Sequence, residues 1–264
     1  GWTLDGIILR GDLTVNLADL ASMKSASPWD LNIRTISHSR FGARNLAVSV
    51  QFNEDRTVSL LSAHVEMAGG DVRVDPSTVT LFPPVLDFNL RIDRVGLQDL
   101  VALFPGSFSD AKGRIDGVVR LGWSEAAGFQ VGAGRFELRD DEIATLRLTS
   151  TPGFLTDRVP ERLALLPAWT GKIGQWFSPL NPVYGDVQKI ELGQTELQIV
   201  SFSLELTPQG DHRDRHGVLK VNARPTAPGA LVQRVTFDIN INGSISELIK
   251  LGMDDSAAFE VQLE

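Results

Sequence analysis

Asp211-His212-Arg213-Asp214-Arg215-His216-Gly217 holds the densest group of side chains able to ligate a metal or move a proton. Two histidines four residues apart share one face of a helix and can bind one zinc ion there. This stretch has no apolar helical face, lies between two alternating runs, and carries Arg213 and Arg215, which repel a cation. It reads as a solvated hairpin tip. His38 and His64 stand alone, with no partner at a spacing that defines a triad. Asp140-Asp141-Glu142 has the ligand type for calcium or a carboxylate pair. Acid–base work needs two carboxylates held across a cleft, not neighbours on one turn. Gly128, Gly132 and Gly134 precede neither a Gly-Lys-Ser/Thr element nor a helix start, so they form no phosphate loop. Glycines so placed mark a bulge or a bend in a strand. We assign no catalytic residue, no metal and no cofactor, and expect a protein that is not an enzyme.

The 264-residue chain has a formal net charge of −8. That argues against nucleic acid as a partner, since phosphate binding needs an excess of Lys and Arg on one face. It also weakens attraction to anionic headgroups. Cysteine is absent, which excludes disulfides and thiolate chemistry and leaves the compartment open. No apolar run approaches the roughly 20 residues that span a bilayer as a helix. The opening Gly1-Trp2-Thr3 lacks an initiator methionine and has no basic-then-apolar leader. A segment of a longer polypeptide is the expectation.

Period-two alternation recurs along the chain and marks strands with one buried face. Leu46, Val48, Val50 and Phe52 alternate in this way, as do Val72 and Val74, Phe136 and Leu138, Leu197 and Ile199, and Phe202, Leu204 and Leu206. The clearest runs set Leu86, Phe88, Leu90 and Ile92, and later Val235, Phe237, Ile239 and Ile241, against polar residues. Turns are expected at Asn53–Arg56, at Ala68–Asp71 and from Thr207 to His216. A loose repeat joins an extended segment to about two helical turns at Asp12–Met23, Leu86–Phe104 and Phe237–Leu251. Pro160–Phe177 carries an apolar stripe at helical spacing, broken at Pro167 and ended by Ser178-Pro179-Leu180-Asn181-Pro182. It packs on a core or serves as a lid or membrane-interface element through Trp169, Ile173, Trp176 and Phe177.

Leu86–Leu148 carries a resemblance. Leu90-Arg91-Ile92-Asp93-Arg94-Val95-Gly96-Leu97-Gln98-Asp99-Leu100 is similar to a strand running into a short Leu-rich segment in the AsmA-like superfamily of bacterial envelope proteins. Within it the nearest group is the YdbH-like one, whose domain has been labelled "dicarboxylate transport". Lys112-Gly113-Arg114-Ile115-Asp116-Gly117-Val118-Val119-Arg120-Leu121 resembles that family's next strand, and Phe129–Leu138 the one after. Val119-Arg120-Leu121 lacks the proline often found there, and Gly132-Ala133-Gly134 replaces an acidic-Gly turn.

The resemblance implies a mainly β fold: a long curved antiparallel sheet, a β-groove, with a few short helices packed at strand ends. It implies one elongated module over residues 1–264, with a sub-boundary near 150–183. Phospholipid or fatty acyl chains would be the cargo, conducted between membranes. Further partners would be envelope proteins of the inner and outer membranes. The location would be the periplasm of a diderm bacterium, anchored through a segment outside this chain. The groove candidates are Leu86, Phe88, Leu90, Ile92, Ile115, Phe129, Val131, Phe136, Leu138, Val235, Phe237, Ile239 and Ile241. A buried CH₂ is worth about 0.8 kcal/mol, so a sixteen-carbon chain carries roughly 13 kcal/mol of transfer free energy that an apolar lining offsets. The alternation alone also fits a closed β-sandwich, a structural or adhesive envelope domain binding carbohydrate or protein. A single tyrosine, Tyr184, speaks against the sugar-binding form.

Overall fold

The computed structural model describes residues 3–16, 19–38, 41–81, 83–101, 108–139, 141–163, 178–208 and 215–241. Alternating β-branched, aromatic and polar residues, cut by Gly, Asn, Asp and Pro, form strands throughout. In the first half these are β1 (Thr3–Arg10), β2 (Thr14–Asn16), β3 (Asp19–Lys24), β4 (Trp29–His38), β5 (Phe41–Phe52), β6 (Thr57–Met67), β7 (Gly70–Val74), β8 (Ser77–Leu81) and β9 (Pro84–Gly96). The second half adds β10 (Phe108–Lys112), β11 (Arg114–Ser124), β12 (Gly128–Leu138), β13 (Ala144–Leu148), β14 (Leu197–Leu206), β15 (Gly217–Pro225) and β16 (Val235–Ile241). Among the described residues two short α-helices accompany them, α1 (Leu97–Val101) and α2 (Pro182–Glu191).

One 14-stranded antiparallel sheet takes in all but β2 and β3, which pair with each other as a small hairpin. The repeat predicts a strand running into a helix over Asp12–Met23; the chain instead turns back, and Val15 pairs with Met23. So short a segment cannot nucleate a helix without a surface to pack on, whereas a hairpin closes its own hydrogen bonds. At the second repeat, α1 does follow β9 directly. The third repeat's helical portion lies outside the described residues.

Sheet order follows hairpin succession from β4 to β6, after which β7 and β8 share the space between β6 and β9. β11, β12, β14, β15 and β16 continue the sheet. Register shifts interrupt it at Asn45 in β5, at Leu61 in β6, at Asp93-Arg94 in β9, at Gly132-Ala133 in β12 and at Val200 in β14. Asn45 and Arg94 adopt φ of 54° and 57° there. Each such bulge bends its strand and increases the local twist.

β10 and β11 are one strand line broken at Gly113, and β12 and β13 a second line broken at residues 139–143. Both breaks fall at the same level and form a crease. Gly113 has φ +121°, and a Cβ there would stand 2.5 Å from the Cβ of Ala144. Below the crease, Ala111, Ala144, Leu146 and Leu197 are buried with Leu97 of α1 and Ile190 of α2 in one apolar cluster. Asn181 caps α2 by accepting the Val183 N–H at 3.1 Å, with Pro182 at the first helical position.

Glu191, at the end of α2, is 2 % exposed. Its carboxylate accepts the N–H groups of Gly153, Leu155 and Thr156 at 2.8, 2.6 and 2.7 Å. Burial pushes its pKa up, but the hydrogen bonds from Thr156, Leu155 and Gly153 outweigh that and hold it below the ordinary glutamate range. This contact ties the 151–158 segment to α2 across the apolar cluster.

Candidate functional site

Strand register converts the alternating pattern into a surface. Leu9 lies opposite Leu31, Leu31 opposite Val48, Val48 opposite Ala63, and Ala63 opposite Val74. The row continues through Leu90, Val119, Gly134 and Leu206 to Gly217 and Ile241. Each member directly faces the next, so the row crosses the sheet from β1 to β16 on one face without a polar side chain. Two residues along, a second row takes in Val65, Val72, Ile92, Gly117, Phe136, Leu204, Leu219 and Ile239.

The neighbouring row, on the opposite face, has another character. It runs from Ile8 through Asn32, Ala47, His64, Arg73, Arg91, Val118, Arg135, Glu205 and Val218 to Asn240. Arg73 directly opposes Arg91, a like-charge pair that costs stability. Carboxylates on this face offset part of the repulsion. Arg91 Nε donates to Asp75 at 2.6 Å and Arg120 Nε to Asp87 at 2.6 Å. The hydrogen bond from Arg120 holds Asp87 below the ordinary carboxylate range.

Burial on the apolar face is graded along the strands. At one margin Leu86 and Trp123 are 36 and 37 % exposed, with half-buried Phe129 opposite Trp123. At the other, Val95 and Ile115 are 3 and 1 % exposed. Between them Phe88, Leu90, Ile92 and Leu121 are half-buried, with Val119 and Val131 buried among them. The covered margin is the one next to the crease, where α1, α2 and the 151–158 segment bring Leu97, Ile190, Phe154 and Leu155 onto the cluster.

The residues singled out from sequence thus divide. Leu86, Phe88, Leu90, Ile92, Phe129, Leu138, Val235 and Ile239 are exposed or half-buried, while Ile115, Val131, Phe136 and Phe237 are buried in the cluster. Ile241 is paired with Gly217 in the register of β16. Trp169, Ile173, Trp176 and Phe177 lie outside the described residues, as do His212 and Asp214. His216 Nδ1 lies 3.2 Å from the Pro208 carbonyl at the base of the β14–β15 connection.

Sequence reading missed Val119, Leu121 and Trp123, which face the same way as Leu90, Phe88 and Leu86. Their alternation is present, but adjacent Val118 and Val119 hide which parity is apolar. Val118 falls on the polar face, 45 % exposed. Leu31, Val58, Leu60, Ala63 and Val65 of β4 and β6 belong to the same surface.

Among the described residues, no group of His, Asp and Glu is placed to hold a metal ion. A depression of about 570 Å³ lies where Arg44, Glu66, Asp71, Arg94 and Arg114 meet Ile36 and Met67. No described helix is long and apolar enough to cross a membrane.

Comparison with curated proteins and with solved structures gives no match. Residues 1–159 match the family model described as "YdbH-like: Intermembrane phospholipid transport protein YdbH". The match takes in β1 to β13 and both apolar rows as far as β12, and with more than half of its length covered the chain belongs to the YdbH-like family.

Proposed function

We propose that this protein seats phospholipid acyl chains on the apolar face of its sheet and so conducts them between the two membranes of a diderm envelope. Its family is one of intermembrane phospholipid transport proteins, not of enzymes. The observation that carries the reading is the unbroken apolar row from Leu9 to Ile241. Neighbouring strands stand about 4.8 Å apart, so a chain laid across them passes from one apolar side chain to the next without meeting a polar one. Each methylene exchanges one apolar contact for another, and the free energy along the path stays nearly level. Sliding then needs no tight site.

Half-burial supports the same reading. A sandwich core would bury Phe88, Leu90, Ile92 and Leu121 as fully as Ile115. These four keep part of their surface open, which leaves a place for a second apolar layer supplied by cargo. Ile115, Val131, Phe136 and Phe237 form the floor beside that place. The test is native mass spectrometry of protein purified from a diderm host, with solvent extraction of what it carries. Phospholipid at about one or more molecules per chain is the expected result; protein that arrives free of phospholipid and takes up none from vesicles refutes the proposal.

A further inference from the structure

We propose that phospholipid mounts the apolar face sideways, over the margin formed by Leu86, Trp123 and Phe129, and that the indole of Trp123 sits at the level of the headgroup; this rests on the lipid reading above. The three side chains stand directly opposite one another on β9, β11 and β12. This is the exposed end of the burial gradient. The other end is blocked, since Val95 and Ile115 are covered and the crease folds β10 and β13 toward α1 and α2. Among the described residues, this margin is the open way onto the face in this half of the sheet.

Trp123 differs from the other described tryptophan. Trp29 Nε1 donates to the Asp12 carbonyl at 2.8 Å, and its ring stands edge-on to Phe52 with centroids 5.7 Å apart. The Trp123 indole N–H has no acceptor among the described residues, while its ring continues the apolar face. A flat apolar body whose donor no described residue takes up suits the boundary between acyl chain and headgroup, where ester and phosphate oxygens accept hydrogen bonds. Immediately behind it, Gly122 and Asp87 turn to the polar face, and the Asp87–Arg120 pair keeps that side charged. A headgroup is thereby confined to the rim.

The experiment uses the whole chain and phosphatidylcholine vesicles brominated either near the headgroup end or near the methyl end of the acyl chain. Bound lipid is counted by mass spectrometry. The fluorescence difference between wild type and Trp123→Phe isolates the emission of Trp123. Quenching of that component about twofold stronger by headgroup-end bromine is expected for an interfacial indole. A Trp123→Glu variant should take up lipid about tenfold more slowly, the rate equivalent of losing two methylene contacts. Ile143→Glu, at an apolar residue 77 % exposed but away from the margin, should load at the wild-type rate. Equal or stronger quenching by methyl-end bromine, or equal slowing by the two glutamates, overturns the assignment of this margin while lipid binding itself stands. A wild-type chain that binds no lipid overturns both.

Discussion

Two phenylalanines on the same face of the sheet should respond oppositely to the same substitution. Phe88 of β9 is half-buried opposite Leu121, whereas Phe237 of β16 is 6 % exposed within the apolar cluster, opposite Val221 at 1 %. Full burial of a phenylalanine contributes about 1.5–3 kcal/mol, so Phe88→Asp should cost folding only about 1–1.5 kcal/mol, its carboxylate still reaching water. Phe237→Asp forfeits about 3–5 kcal/mol of packing. It also strands a charge at a further cost of several kcal/mol. That sum rivals the whole stability of a typical domain, about 5–15 kcal/mol. For lipid the order reverses. A ring covering about three methylenes contributes about 2.4 kcal/mol, so Phe88→Asp should weaken phospholipid binding roughly fiftyfold in a still-folded chain. Urea unfolding followed by circular dichroism, with vesicle co-flotation of the folded variants, measures both quantities. If Phe88→Asp unfolds the protein as readily as Phe237→Asp, the Phe88 surface is an interior and the conduction proposal fails.

Glu191→Gln should lower stability by about 2 kcal/mol at pH 7, the loss of charge-assisted hydrogen bonds to three backbone N–H groups. Because the folded-state pKa of Glu191 is depressed, its contribution is present above the ordinary glutamate value of 4.5 and is lost as pH falls through the folded value. Urea midpoints of wild type and variant should therefore converge in acid, and a gap that persists there contradicts the carboxylate's role. Gly113→Ala should cost about 2–3 kcal/mol in a thermal melt, since φ +121° and a Cβ at 2.5 Å from Ala144 oppose it together. Arg120→Ala should change the melt by no more than about 1 kcal/mol, because both members of its pair with Asp87 are well exposed, 60 and 49 %.

Much of the sheet was legible because period two survives in single strands. The alternations at Leu86–Ile92 and Val235–Ile241 lie in β9 and β16, and the turns at Asn53–Arg56 and Ala68-Gly69 close hairpins. The YdbH-like resemblance, read from Leu86–Leu148, is matched by the family model over residues 1–159. What alternation cannot carry is register. Which residue of β6 faces Val48 depends on the bulges at Asn45 and Leu61, and an extra residue in a ladder leaves no mark on composition. Burial was hidden for the same reason. Phe88 and Phe237 look alike in sequence and differ only in what folds over them, and the crease at Gly113 is a property of two strand lines together. α2 was missed because Asn181-Pro182 was read as a terminator; the same pair serves as N-cap and first helical residue. The signal was there with its sign ambiguous, since proline both ends one helix and begins the next.

The bulges have a further effect, on what kinds of sequence change the fold can absorb. Every strand contributes one tooth to each apolar row, and the side-chain period of two fixes its phase. Swapping one aliphatic tooth for another keeps the comb intact. Inserting or deleting a single residue within β5, β9 or β12 shifts that strand by half a period and drives a polar side chain into the line, unless an existing irregularity such as Asn45 or Arg94 takes up the slip. Drift by substitution should therefore be broad across this surface, while length changes are confined to the hairpin ends.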